Sequence, residues 1–263
     1  MKARKTVLKV VQGKPDQSLK SALLELKNRF GACVLKLSTE DAAMSMEQIN
    51  YWTEFVGKIL PIVIKIGGPN ARNDIKQLLN MNVDGLIAPM VESAYGLENF
   101  ISAVRDFTTP MQFERIKKQI NIETTTAVKQ LDSILSNQEM QYIDEITIGC
   151  SDLSDSMKKS RWEKSFTTQV EKVTKTIQKR NIPVSIGGGI TPGTIGQCLK
   201  QVQPEKFNTR VVTFKVTPNQ DYRKAVRLAL CFEILMLEHD SARKFISRDE
   251  EKFRIKELKK RLK

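Results

Sequence analysis

Short apolar runs rich in Val and Ile alternate along this chain with longer stretches whose apolar positions recur at helical spacing. The runs at 6–11, 32–37, 61–66, 85–91, 120–124, 145–149, 183–187 and 210–216 are predicted strands. Helices are predicted at 18–30, 46–59, 71–81, 94–107, 127–136, 163–180 and 194–201, with a longer one at 219–238 after the last strand. Eight β runs separated by helices predict an α/β fold, a closed parallel (β/α)8 TIM barrel over residues 1–240 with an additional C-terminal helix at 241–263. No internal linker marks a second domain. A doubly wound sheet is the rival, but six strands would suit it better.

Counting by twos assigns the faces of each strand. Val34, Lys36 and Ser38 share the barrel interior, leaving Cys33, Leu35 and Leu37 to the helices. The other inward sets are Val63, Lys65 and Gly67; Ala88, Met90 and Glu92; Asn121 and Glu123; and Thr213 and Lys215. Charges on central parallel strands are costly unless paired or metal-bound. These gather near the C-terminal strand ends, where barrel enzymes keep their active sites. A purely structural ion-pair network of Lys36, Lys65, Glu92 and Glu123 is the alternative.

Glu123 and Asp152 each close an apolar β run and stand 29 positions apart, about one strand-plus-helix unit. Two carboxylates at neighbouring strand ends make the arrangement that a hard cation such as Mg²⁺ needs, so they are the candidate metal ligands. The run Gly187-Gly188-Gly189 leads into a helix, and glycine backbone there admits an anion; a tight turn capped by Thr191 or Thr194 is the other reading. Backbone amides from Gly149 through Cys150 and Ser151 to Leu153 are candidates for holding a substrate carboxylate beside the metal. A helix start capped by Asp152 or Ser154 competes with that assignment.

Composition narrows the classes. In 263 residues, 40% hydrophobic and 28% charged, no apolar run reaches the ~18 residues of a membrane span. The longest, 228–237, is interrupted by Glu233, and the first residues are too short and too charged for a signal-peptide core. The four cysteines lack CxxC spacing, which predicts reduced thiols and a cytoplasmic protein. A net charge of +13 invites a nucleic-acid partner, but the basic stretches 158–161 and 252–263 lack aromatic interleaving and known motif spacing. Solvated lysine faces, and attraction of anionic substrates, account for the charge.

At the motifs Gly31–Glu40, Ile64-Lys65-Ile66-Gly67-Gly68, Val83–Ser93, Asn121-Ile122-Glu123-Thr124 and Ile148–Ser154, the sequence resembles the HpcH/HpaI aldolase and citrate lyase beta-subunit family of pyruvate/phosphoenolpyruvate barrels. The resemblance runs from about residue 7 to 216. It implies Mg²⁺ or Mn²⁺ on Glu123 and Asp152, chelated by a 2-keto acid such as pyruvate or oxaloacetate, with an enolate stabilised during carbon–carbon cleavage or formation. It also implies that Glu92 orients a ligand water or a lysine. Two departures stand out. Lys65 occupies the place of a family arginine, which loses the bidentate fork. The single histidine, His239, lies at the end of the final barrel helix and reads as a surface or interface residue.

The leading expectation is therefore a metal-dependent carbon–carbon lyase or synthase acting on a small anionic keto acid, alone or with a phosphorylated or CoA-linked co-substrate. Lys36 and Lys65 offset its charge, with an activated water, Glu40 or a lysine moving the proton. A Schiff-base aldolase using Lys36, Lys65 or Lys215 is the second expectation. A barrel without catalysis, binding a ligand or partner, is the third. Phe245, Ile246, Phe253, Ile255 and Leu258 in the C-terminal segment are predicted to pack under the barrel or swap onto another subunit, giving a homo-oligomer.

Overall fold

Ser45 ends an irregular stretch by accepting the Gln48 N–H with its hydroxyl, and Ser93, Thr109 and Thr124 do the same for the helices that follow them. Such caps punctuate a regular alternation in the computed structural model, which describes residues 15–262. The order is α1 (Pro15–Phe30), β1 (Ala32–Ser38), α2 (Met46–Val56), β2 (Ile62–Lys65), α3 (Arg72–Leu78), β3 (Gly85–Ala88), α4 (Ala94–Asp106), α5 (Pro110–Arg115), β4 (Lys117–Ile122), α6 (Thr125–Lys129) and α7 (Leu131–Leu135). It continues through β5 (Glu145–Gly149), α8 (Cys150–Ser156), α9 (Lys164–Gln178), β6 (Val184–Gly187), α10 (Ile195–Val202), β7 (Lys206–Asn208), β8 (Val212–Lys215), α11 (Arg223–Ala242) and α12 (Arg248–Arg261).

Eight strands close a barrel in sequence order, so the predicted fold class holds. The strand expected at 6–11 lies outside the described residues, and the eighth stave is β7 instead. β1 to β7 are mutually parallel, but β8 runs antiparallel to both β7 and β1. The fully parallel expectation is corrected here for a simple reason. A parallel crossover needs a dozen or more residues, whereas a tight turn knitted by Thr209 and Val212 joins β7 to β8.

The outward strand residues Leu35, Leu37, Ile62, Ile64, Leu86, Ile120, Ile122, Ile146, Ile148, Ile186 and Phe214 are buried against the helices and form the main core. The interior is polar instead. Thr213 donates to Asn208, Asn208 to Ser185, and Ser185 shares a hydrogen bond with Thr147. Lys206 pairs with buried Glu145 at 2.6 Å.

Two predicted facings are corrected. The register Lys65–Ile87–Gln119 places Ile87 inward and Ala88, aligned with Ile120, outward. Period two cannot run through 88–92, because the strand ends at Ala88 and Met90 adopts a left-handed φ of 54°. On β1, a register shift between Ala32 and Val34 brings the Cys33 thiol onto the Thr213 carbonyl, close to Lys206 and Glu145. All four cysteines are free thiols, and burial pushes Cys198 up to about 12.

His239 is not a surface residue. It is buried in an aromatic cage of Tyr51, Trp52 and Phe55, with the Tyr51 hydroxyl 2.6 Å from its Nε2. Its neighbour Asp240 accepts hydrogen bonds from Trp52 Nε1 and Gln48 Nε2, fixing α11 to α2. Burial raises the Asp240 pKa to about 6, against the pull of those donors. A raised folded pKa means that the stability this group contributes is complete below the ordinary carboxylate range and is lost as pH rises through about 6. Denaturant midpoints measured from pH 4 to pH 7 should therefore fall less steeply in Asp240→Asn than in the wild type.

α12 does not pack under the barrel. It folds back over the strand C-termini, burying Leu258, with Arg261 donating to the Ile190 carbonyl and Arg227 to the Leu262 carbonyl. Among the described residues, no helix is long and apolar enough to cross a membrane.

Candidate functional site

The C-terminal strand ends open into a cavity of about 670 Å³. β1 contributes Lys36, β2 Lys65, β4 Asn121, β5 Thr147 and Gly149, and β6 Gly187. Just beyond the strands come Glu40, Asp41, Glu123, Ser151, Asp152, Gly188 and Gly189. Nine of the eleven predicted site residues thus line one cavity: Lys36, Lys65, Glu40, Glu123, Asp152, Gly149, Ser151, Gly188 and Gly189.

The other two do not. Cys150 is fully buried behind the lining, where desolvation pushes its thiol upward. Glu92 faces away from the cavity and accepts a hydrogen bond from Thr124 at 2.5 Å. Its place follows from the break after β3, which carries the chain out of strand periodicity before residue 92.

Glu123 is the most constrained side chain of the site. It is 1% exposed, and its carboxylate accepts the Met90 N–H at 2.8 Å and the Asn121 side-chain amide at 3.2 Å. Burial raises its pKa, the Lys65 charge and the Met90 N–H oppose the rise, and the Asp152 carboxylate adds to it. Gly149 makes room for it: a Cβ there would lie 2.3 Å from Glu123 Oε2. Asp152 sits exposed in the first turn of α8, where the helix dipole favours a negative charge.

The two interior lysines differ. Lys65 is ion-paired with Glu40 at 2.6 Å; burial works against its charge, but Glu123, Glu40 and Asp41 prevail and raise its pKa. Lys36 has Asp41 as its main compensating charge, and burial together with the repulsion of Lys65 lowers its pKa. The alternative of a mutual ion-pair network is met only in part: Lys65 binds Glu40 and feels Glu123, Lys36 sits beside them, and Glu92 is absent from it.

The glycines after β6 serve side-chain approach. A Cβ on Gly188, at φ 88°, would lie 2.5 Å from the Ser151 amide nitrogen, and one on Gly189, at φ 68°, would lie 2.9 Å from Arg161 Cδ. Arg161 donates to the Ser151 hydroxyl at 3.2 Å.

Sequence reasoning missed the guanidinium side of this cavity, formed by Arg161, Arg210 and Arg261. Arg161 closes a lysine-rich run that reads as a solvated face. Arg210 opens the run 210–216, which reads as a strand. For Arg261 a signal existed: Arg254, Leu258 and Arg261 fall at i, i+4 and i+7, which puts both arginines on the apolar face of α12.

The donors fit a hard divalent cation. Mg²⁺ is commonly held by one or two carboxylates while keeping waters or substrate oxygens. Glu123 and Asp152 supply two, their mutual repulsion is what such an ion relieves, and the buried Asn121 Oδ1 beside them has no hydrogen-bond partner. Among the described residues, no cluster of three or more His, Cys, Asp or Glu side chains is arranged for a metal.

The profile of the HpcH/HpaI aldolase/citrate lyase family matches residues 41–183. Solved structures with the same fold include an HpcH/HpaI aldolase from Desulfitobacterium hafniense DCB-2, at 18% identity and TM-score 0.56 over 70% of this chain and 78% of that one. An HpcH/HpaI aldolase/citrate lyase family protein from Burkholderia cenocepacia J2315 aligns at 13% identity and TM-score 0.56, over 72% of this chain and 91% of that one. A citrate synthase, SbnG, aligns at 16% identity and TM-score 0.56, over 71% and 89%. At these identities the structural likeness is one of fold. No curated protein sequence matches the chain.

Proposed function

The chain belongs to the HpcH/HpaI aldolase/citrate lyase family, and from that premise we propose that it is a divalent-metal-dependent carbon–carbon lyase acting on a small 2-keto acid. The observation that carries this reading is the convergence of Glu123, Asp152, Lys65 and Lys36 on one cavity at the strand C-termini. Glu123 and Asp152 would hold Mg²⁺ or Mn²⁺. When bound, such a cation supplies Lewis acidity toward the oxygens of a keto acid.

The chain's own residues divide the remaining work. Lys65, held charged by Glu40 and Glu123, presents an ammonium donor to an anionic substrate oxygen. It offers a point charge, not the two-pronged contact of an arginine. Lys36, with its pKa lowered by burial, gives up its proton more readily than Lys65 and is the lysine better suited to accept and return one. No histidine lines the cavity, so the proton transfer falls to this lysine.

Solvent deuterium uptake into pyruvate, followed by proton NMR, tests the reading. Exchange should require Mg²⁺ or Mn²⁺, stop with EDTA and return when the ion is restored. Absence of exchange under saturating metal would remove the assignment.

A Schiff-base route is the second reading, favoured by the desolvation of Lys36 next to a second cation. Borohydride treatment with pyruvate in EDTA separates the two. A covalent adduct on Lys36 would support the amine route.

A further inference from the structure

We propose that Arg161, Arg210 and Arg261 form a subsite for a second anionic group of the substrate, a phosphate or a carboxylate at the end remote from the keto acid. The proposal rests on the reading of the cavity as a keto-acid site and adds what the far end of the substrate must carry.

The three guanidinium groups come from unrelated parts of the chain: the segment after α8, the β7–β8 turn and the end of α12. They line the same cavity as Glu123 and Asp152. Each is anchored through one N–H on a neutral oxygen. Arg161 donates to the Ser151 hydroxyl at 3.2 Å, Arg210 to the Asp41 carbonyl at 2.9 Å and Arg261 to the Ile190 carbonyl at 3.0 Å. These contacts set direction without neutralising charge.

Carboxylates neutralise it only in part. Among the described residues, Arg161 and Arg261 have no carboxylate partner in an ion pair, and Arg210 has only Asp41 at 3.9 Å and Glu233 at 3.6 Å. Nε of both Arg210 and Arg261 is buried without a hydrogen-bond partner. Buried Glu233 lies behind the cluster and faces Arg210, Arg254 and Arg261, a counter-charge that holds the cations without reaching the cavity. Burial lowers the Arg261 pKa against the pull of Glu233, and the nearby charges of Arg210 and Arg161 add to the lowering, so Arg261 is repelled by both of the other arginines.

Fixed, mutually repelling guanidinium groups around an open space are complementary to a multivalent oxyanion, which they bind through several short charge-assisted hydrogen bonds. Ser151 ties the two ends of the site together. Its hydroxyl receives Arg161, and the next residue is Asp152. One elongated substrate can therefore place its keto acid at the carboxylates and its distal anion at the arginines. A cavity of about 670 Å³ has room for both ends.

Calorimetric titration of the full chain with inorganic phosphate and, separately, succinate in the presence of EDTA tests this. The wild type should bind at least one probe, and whichever binds more tightly identifies the distal group. Arg161→Gln and Arg261→Gln should weaken that binding by about ten-fold or more, the loss expected for a charged hydrogen bond. Arg261→Lys should recover part of it. Arg180→Gln, on the outer helix α9 side, should leave it unchanged and so controls for net charge; far-UV circular dichroism checks folding. Failure of both probes to bind at millimolar concentration, a loss under about two-fold in both glutamine variants, or an equal loss in Arg180→Gln would overturn the subsite. Binding that depends on Arg161 and Arg261 without any pyruvate exchange would keep the anion site and remove only the keto-acid assignment.

Discussion

Gly149→Ala should cost activity and stability together. The added methyl has nowhere to go: Glu123 Oε2 is 2.3 Å and Glu123 Cβ 2.6 Å from the position it would take. The backbone is not the obstacle, because Gly149 has φ −81°, which alanine tolerates. The strain falls on Glu123, which must swing away from the Met90 N–H and the Asn121 amide that orient it. Overpacking of this kind costs about 1–3 kcal/mol. A displacement of a reacting group by about 1 Å can cost roughly 100-fold in rate. A thermal melt and a metal-dependent exchange assay on the same preparation check both halves. Retained activity at wild-type stability would mean that Glu123 is not held where the structure places it.

Glu123→Gln should separate the two effects. As a cation ligand, Glu123 should lose far more than the ~10–100-fold seen when an outer hydrogen-bond partner of a metal ligand is removed. Metal-dependent turnover and metal affinity should both collapse. Stability should not. The glutamine keeps an oxygen to accept the Met90 N–H, and Asn121, whose Oδ1 has no partner, can turn its amide to accept from the new NH₂. Lys65 retains Glu40 at 2.6 Å.

The sign of the pH dependence follows from burial. Burial raises the folded pKa of Glu123, so the stability it contributes is present below the ordinary carboxylate range and disappears as pH rises through the raised value. Glutamine does not titrate. Relative to the wild type, the variant should gain denaturant resistance at pH 8 and lose that advantage toward pH 4. A variant that melts earlier at every pH would show Glu123 to be a structural ion-pair member instead.

Much of this was legible in the sequence because the barrel encodes position by period. Parallel strands buried on both faces read as apolar runs, and the rare charges among them, Lys36, Lys65 and Glu123, stand out because burial makes them expensive. The reading broke where period-two logic stops. Pro89 and the left-handed Met90 carry the chain away from β3, so Glu92 lost its inward place. The short run Lys206-Phe207-Asn208 carries one apolar residue between two polar ones and escaped notice as a strand. The arginines were invisible for another reason. Three residues brought together across a hundred positions, from 161 to 261, share no local pattern, and a basic run that faces solvent has the same composition as one that faces a cavity.

The hairpin that closes the barrel also limits how this scaffold can be altered. Six strands, β1 to β6, deliver into connections that can be lengthened or exchanged without disturbing the sheet, the usual route by which barrels diversify. At the seventh the chain reverses at once, and an insertion there would pull apart the two staves that shut the cylinder. Variation around Arg210 is confined to changes of side chain, so a redesign for new chemistry should graft segments into the connections that leave β1 to β6 and leave this corner at its present length.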